Sequence, residues 1–358
     1  MNKRRADRIL QQMRERELSA LLVSDPSAVF YLTGKWMHPG ERLLVLYLDA
    51  DGGHKLFNNA LFPLSDDLGL DIVGYNDTQD AVGMIAPFLR DGSVVGIDKN
   101  WPARFLLRLQ ELRGSVRYVN GSWVVDTVRM RKDAEEQERM RAASRLNDKA
   151  MSKLVERVSA CPTEIQAARD LDGIYEGLGA QGFSFDPIVG YGPNGADPHH
   201  TPDASQLREG DSVILDIGCI KDSYCSDMTR TVFYRKASDQ ARKVYGLVRE
   251  ANERGIAAVK PGARFCDVDA AARNTIEAAG YGRYFTHRTG HSIGIDVHEY
   301  GDVSAANTAV LEEGMIFSVE PGIYLPGELG VRIEDLVLVT HDGCEVLNRY
   351  NKELTVIG

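Results

Sequence analysis

Apolar residues recur at helical spacing in ADRILQQMRERE near the start of the chain, and a short aliphatic run, ALLVS at residues 20–24, follows at the length of one strand. The alternation continues: ERLLVLYLDADG reads as a strand closed by a turn, DAVGMIAPFLRDG as a helix, SVVGID as a strand and ARFLLRLQELRG as a helix. Strands interleaved with helices in this way predict a small α/β domain. Beyond Val124 the pattern changes to a long charged segment, RMRKDAEEQERMRAASRLNDKAMSKLVERV, with apolar positions at helical intervals. The expected boundary lies before it, giving a first domain over residues 1–125 and a second over 126–358. Helix-rich stretches at 135–158 and 239–258 each lead through a further helix into glycine-rich turns and short strands. They suggest an internal duplication, although identity between the halves is too low to assert one.

A length of 358 residues suits two domains of roughly 150 each. With 43% hydrophobic and 26% charged residues, neither a disordered chain nor a fibrous repeat fits. The net charge of -10 argues against the clustered basic surface that displaces counterions from phosphates, so no nucleic-acid partner is expected. The basic start MNKRRADRILQQMRERE runs into further charges instead of an apolar segment, unlike a secretory signal. Apolar runs such as LLVLYL fall far short of the ~20 residues a bilayer helix needs, so no membrane association is expected. Cys161, Cys219, Cys225, Cys266 and Cys344 form no CxxC pair, which fits a reduced cytoplasmic protein better than a disulfide framework or a thiolate zinc site.

The chemistry gathers in the second part. DSVILDIGCI and TRTVFYR read as strands of one hairpin, with Asp216 inside the first and Asp227 at the start of the second. MIFSVE and VRIEDLVLV flank the turn-rich PGIYLPGELG as a second hairpin and put Glu320 and Glu334 at strand positions. Alternation along a strand turns Arg332 and Glu334 to one face and Val331 and Ile333 to the other. One arginine cannot neutralise four buried carboxylates. Either the acids reach water on separate edges or all four converge on metal. HRTGHSIGIDVHEY favours metal, because it packs His287, His291 and His298 together and imidazole is the commonest nitrogen ligand. Four carboxylates balance two divalent cations, and an oxygen-rich set with one nitrogen suits manganese or cobalt, with zinc or iron also possible.

These residues resemble the pita-bread-fold metallopeptidases, specifically the prolidase (Xaa-Pro dipeptidase) and aminopeptidase P branch. Asp216 and Asp227 are 11 positions apart, His291 and His298 are 7 apart and Glu320 and Glu334 are 14 apart, as in that family, within the words SDMTRT, TGHSIGIDVHE and EPGIY. The resemblance covers the whole chain. It implies an α+β pita-bread catalytic domain behind an α/β creatinase-type N-terminal domain, and two divalent ions held by Asp216, Asp227, His291, Glu320 and Glu334. It further implies His199 as a substrate-site histidine, with His200 the adjacent alternative, in NGADPHHTP. His298 is implied to contact the scissile peptide and its oxyanion, His287 to line the pocket, and Arg332 to brace the bridging Asp227. The implied reaction is attack by a metal-activated water, with Glu320 carrying the proton and His298 and His199 stabilising the oxyanion. The implied substrates are small peptides with proline after the cut bond.

Two features depart from the pattern. Ser223 and Tyr224 stand where relatives show Gly-Tyr, which changes a turn and no ligand. In HEYGDVS, Asp302 occupies the place where dipeptide-cutting relatives often carry an arginine for the free carboxylate of proline, and no Lys or Arg occurs from His298 to Glu320. A terminal carboxylate beside the reacting bond needs a cation, so this difference leans towards longer peptides, as for aminopeptidase P, with the dipeptidase as alternative. The loop GKWMHPGE, with Trp36 and His38, resembles one that closes the site of a neighbouring subunit, implying a homodimer. A metal-free binding module or a creatinase-like hydrolase on the same fold is disfavoured by retention of all five ligands. Methionine aminopeptidase is disfavoured by the long N-terminal domain.

Overall fold

The structure, a computed structural model, describes residues 1–64 and 67–358. It divides into two compact units, Met1–Arg129 and Met130–Gly358. The division lies a few residues beyond the 125/126 position read from the pattern.

The first unit contains α1 (Lys3–Glu15), β1 (Ala20–Val23), α2 (Pro26–Thr33), β2 (Val45–Asp49), β3 (Lys55–Asn59) and β4 (Asp71–Tyr75). It continues with α3 (Ala81–Ile85), β5 (Val94–Ile97), α4 (Ala103–Leu112), β6 (Arg117–Asn120) and α5 (Ser122–Met130), the last running up to the division. Its strands form one sheet in the order β4-β3-β2-β1-β5-β6, antiparallel at β1/β2 and β2/β3 and parallel elsewhere. Leu22, Val45, Phe57, Val95 and Leu109 meet in its core. Four of these elements carry no signal in the apolar pattern. In β4 only Tyr75 is buried, and β6 has no buried residue, so neither shows an apolar period. α2 is marked instead by its ends, with Asp25 accepting from the Ala28 amide, Pro26 in the first turn and Gly34 at φ 72°. β3, KLFNN, holds only the adjacent pair Leu56 and Phe57 as apolar residues and so shows neither an aliphatic run nor an alternation.

In the second unit the long charged segment is broken. α5 stops at Met130 and α6 (Ala134–Ser159) restarts at Asp133, whose carboxylate accepts from the Glu136 amide while Glu136 accepts in return from the Asp133 amide. α7 (Glu164–Leu178), β7 (Ile188–Tyr191), β8 (Ser212–Ile217), β9 (Ile220–Lys221), β10 (Tyr224–Cys225) and β11 (Met228–Tyr234) follow. Then come α8 (Asp239–Ala257), α9 (Phe265–Ala278), β12 (Gly290–Ser292), β13 (Glu299–Val303), β14 (Ile316–Val319) and β15 (Gly322–Leu325). The chain closes with β16 (Leu329–Arg332), β17 (Asp335–Val339), β18 (Cys344–Val346) and β19 (Val356–Ile357).

Two larger sheets result, β19-β11-β8-β7 and β13-β12-β14-β17-β18, beside the two-stranded pairs β10-β9 and β15-β16. α6 and α7 bury Leu154, Leu171 and Tyr175 against Val213 and Leu215 of the first. Phe265 and Val268 of α9 pack with Phe317 and Val337 of the second. The second carboxylate hairpin is more elaborate than the pattern predicts. PGIYLPGELG is not a simple turn, because β15 pairs with β16 as a separate two-stranded ribbon while β14 pairs with β17. VRIEDLVLV therefore changes partner at Ile333 and Glu334, which places Glu320 just after β14 and Glu334 just before β17, at strand ends.

Candidate metal centre and substrate cavity

The five predicted ligands come from the ends of neighbouring strands. Asp216 lies in β8, opposite Thr229 of β11, and Asp227 immediately precedes β11. His291 sits in β12, next to Gly290, where any side chain would run into the Ser318 carbonyl of β14. That close approach lets the Ser318 hydroxyl accept from the His291 amide at 3.0 Å and donate to Glu320 Oε1 at 3.1 Å. His291 Nε2 stands 3.4 Å from Glu320 Oε1 and 3.5 Å from Asp227 Oδ2. Ligand atoms of Asp227, His291 and Glu334 all lie within 4.8 Å of one another. Asp216 and Glu320 line the same cavity.

The donor set fits a cation by two observations. Asp216 Oδ1, Asp227 Oδ1 and Glu334 Oε1 are buried and meet no hydrogen-bond donor among the described residues. Leaving one such atom unpaired costs about 1–3 kcal/mol, and more for a charge. His291 Nδ1 faces the Ser292 carbonyl at 3.2 Å and so carries the proton, leaving the Nε2 lone pair turned towards two carboxylates. Without a cation the Nε2 lone pair and the bare carboxylate oxygens around it repel one another. Burial, with Asp216 and Glu320 nearby, holds the Asp227 carboxyl well above its usual range. Burial and Asp227 do the same to Glu334, and burial raises Glu320. Burial lowers the His291 imidazole.

Arg332 donates from Nη2 to Asp216 Oδ2 at 2.8 Å, which corrects the expectation that it braces Asp227. The reason is its position at the end of β16, beside β8. Its Nε donates to Thr229 Oγ1 at 3.1 Å, and Thr229 donates to Glu334 Oε2 at 2.8 Å. Its Nη1 donates to the Tyr324 hydroxyl at 2.8 Å, which lies 2.7 Å from His287 Nε2. His287 Nδ1 must donate to the Arg288 carbonyl at 2.7 Å, so Tyr324 donates to His287 Nε2. The result is a chain that donates outward from Arg332, to Asp216 on one side and through Tyr324 to His287 on the other. Burial, then the Arg332 charge, pushes His287 down to about 4, consistent with a neutral ring.

A cavity of about 650 Å³ opens onto these groups. Phe185, Pro187, Ile188 and Val297 give it apolar walls. His298 lines it and stands edge-on to His291, ring centroids 4.2 Å apart, with burial and then His291 lowering it to about 4. His199 and His200 both line it, but their surroundings differ. His200 Nε2 is held by buried Glu164 at 2.7 Å, whereas His199 is exposed and, among the described residues, is tied through its backbone amide, to Asp197. Arg288 lines the wall as well and forms an ion pair with Asp302.

The profile of metallopeptidase family M24 matches residues 138–341, and that of the creatinase/prolidase N-terminal domain matches residues 5–131. The chain belongs to metallopeptidase family M24. It is 36% identical to an uncharacterized peptidase of Staphylococcus saprophyticus over 97% of this chain and 99% of the relative. It superposes on a prolidase from Thermococcus sibiricus with a TM-score of 0.92 and 34% identity, covering 100% of this chain and 99% of the other. Dipeptidase PepE from Mycobacterium ulcerans gives 0.92 and 35%, covering 99% and 97%.

This M24 peptidase thus has the pita-bread fold, preceded in sequence by a creatinase-type domain, and its clustered acids and histidine imply divalent metal. Sequence reasoning missed Thr229, Ser318, Tyr324, Glu164 and Arg288. Thr229 and Ser318 each lie two positions from a predicted ligand, on the same face of the strand, and that spacing was the available signal. Arg288 precedes His298 in sequence by ten residues and carries no signal of its own in the HEYGDVS segment. No helix among the described residues is long and apolar enough to cross a membrane.

Proposed function

We propose that this M24 peptidase hydrolyses the bond ahead of proline in short peptides, with Xaa-Pro dipeptides as its preferred substrates and two manganese ions as its cofactor. Arg288 carries the length preference. It is a cation in the cavity wall, and Asp302, which does not line the cavity, takes up one of its N–H groups and leaves others for a substrate carboxylate. The likeness to a prolidase and a dipeptidase supports this reading. The segment from His298 to Glu320 holds no Lys or Arg, and Arg288 supplies the cation from the other side of His291. A second reading, removal of the first residue from Xaa-Pro-Yaa peptides as by aminopeptidase P, is favoured by Asp302 offsetting the Arg288 charge.

Asp216, Asp227, His291, Glu320 and Glu334 would hold the metal, which when bound supplies an acidified water and an electrophile for the carbonyl. Glu320 takes a proton from the attacking water and delivers it to the proline nitrogen as the C–N bond breaks. His298 and His199 donate hydrogen bonds to the oxyanion, each worth roughly 3 kcal/mol. Phe185, Ile188 and Val297 give the proline ring an apolar wall. Arg332 acts on Asp216, fixing its orientation. The five free cysteines support a reducing, cytoplasmic setting. Trp36, stacked on Phe30 at 4.6 Å and on His38 at 5.8 Å, forms a preset aromatic ledge suited to a second copy in a homodimer.

The test compares kcat/KM for Xaa-Pro and Xaa-Pro-Yaa peptides, with Mn²⁺ and with chelator. Dipeptides should be cut faster, chelator should abolish both activities, and Arg288→Met should lower dipeptide turnover about tenfold or more while sparing tripeptides. Faster cleavage of tripeptides would establish the second reading instead.

A further inference from the structure

Glu164, the first residue of α7, is a fully buried carboxylate outside the metal cluster. Its oxygens are saturated. Oε1 accepts from the Tyr191 amide at 2.7 Å and from Asn194 Nδ2 at 3.0 Å. Oε2 accepts from His200 Nε2 at 2.7 Å and from the Asp203 amide at 3.1 Å. An ionised carboxylate only accepts, so His200 carries its proton on Nε2. With every lone-pair direction taken, the Glu164, His200 and Asp203 cluster is not a second metal site. The four contacts instead close the segment 191–203 around one point.

His199 sits inside that closed segment. On one side its neighbour His200 is held by Glu164, and on the other the Pro198 carbonyl lies 3.5 Å from Arg332 Nη1. Its own amide donates to Asp197 Oδ1 at 3.0 Å. An exposed side chain on a loop needs such anchors to be held at the cavity wall.

We propose that Glu164 is a positioning residue for catalysis, acting through His200 and the segment it closes to hold His199 where it meets the oxyanion. The proposal rests on the role given to His199 above. A bond formed mainly in the transition state affects kcat and leaves KM nearly unchanged.

A double-mutant cycle separates this from simple support of the fold. E164Q should lower kcat about tenfold or more, with KM within about twofold and bound metal at the wild-type level. In an H199A background, E164Q should cost less than about twofold further. Additive losses, or E164Q turnover within about twofold of wild type, would overturn the proposal. If E164Q fails to fold, H200A and H200Q serve instead, since glutamine keeps an N–H where His200 Nε2 stood. H200Q should recover most of the kcat that H200A loses, and equal turnover in the two overturns the proposal. An H199A enzyme at wild-type rate shows by itself that the His199 role is at fault, and Glu164 then has nothing to act through.

Discussion

Glu334 and Asp335 are consecutive, both almost wholly buried, and turned to opposite sides of the chain where β16 gives way to β17. Asp335 accepts from Arg230 Nη2 at 2.8 Å and from Lys352 Nζ at 2.7 Å, and Arg230 spends its remaining donors on backbone carbonyls, including those of Thr229 and Tyr350. Burial alone would raise the Asp335 carboxyl, but the Arg230 and Lys352 charges outweigh it and hold the group below its usual range. Glu334 has Thr229 as its side-chain partner, keeps Oε1 bare, and is pushed upward. The same residue class at the same depth is thus neutralised on one side and left in deficit on the other. A fold able to pair Asp335 with two cations has no difficulty pairing carboxylates. The deficit around Glu334, Asp227 and Asp216 marks the place of a cation that the chain does not itself supply.

Substitutions on the two sides should separate activity from stability. The largest expected effect is at Asp227. Asp227→Asn should lower hydrolysis on the order of 1000-fold and abolish metal retention, while the metal-free protein melts no lower than wild type because a repelling charge has gone. Peptide turnover, metal analysis and thermal unfolding read the three quantities, and near-normal turnover would refute the ligand assignment. On the paired side, Asp335→Ala strands Arg230 and Lys352 and should cost about 3–5 kcal/mol in denaturant unfolding, with metal content per folded chain unchanged. A stable Asp335→Ala with lost metal would reverse the two roles.

Between these extremes lies Thr229→Val, which removes the hydroxyl shared by Glu334 and Arg332. It should weaken metal affinity or kcat/KM about 10–100-fold, with little change in melting temperature.

The smallest effect is on pH dependence. In the metal-free protein Asp227 and Glu334 titrate above their unfolded values, so their contribution is full below about pH 4 and is lost as pH rises through the folded values. His287 and His298, lowered to about 4, act oppositely: between about 6.5 and 4 the unfolded chain takes their protons, so stability falls with pH there. Metal keeps the carboxylates ionised and cancels only the first contribution. The rise in melting temperature on adding Mn²⁺ should therefore grow from pH 5 to pH 8, and a constant rise would argue that no buried carboxylate is involved.

Much of this was legible from residue order. Asp216, Asp227, Glu320 and Glu334 stand out because a carboxylate in an aliphatic strand has no cheap explanation; three histidines crowd one glycine-rich segment, and the resemblance to the family, not their spacing, picks His291 from them. The alternating pattern also placed Arg332 on the Glu334 side, as their shared partner Thr229 confirms. Its contact with Asp216 was not legible, because that depends on which strand end β16 lies beside, a long-range property of packing. The β15/β16 ribbon was hidden for a similar reason, since glycine and proline in PGIYLPGELG signal turns and mask the short strands between them. Glu164 reads as an ordinary acidic residue in the first turn of a helix, and only the folded chain brings His200 to it. Arg288 and Asp302 are 14 positions apart with no periodic link, and the antiparallel pairing of β12 with β13 brings them together.

The most direct measurement is the number of ions retained per chain after dialysis against Mn²⁺, for the wild type, Glu334→Gln and Asp335→Asn. The account predicts about two in the wild type, a loss with Glu334→Gln, and the wild-type number with Asp335→Asn. A wild-type protein that retains none, or a Glu334→Gln protein that keeps the full number, would contradict it.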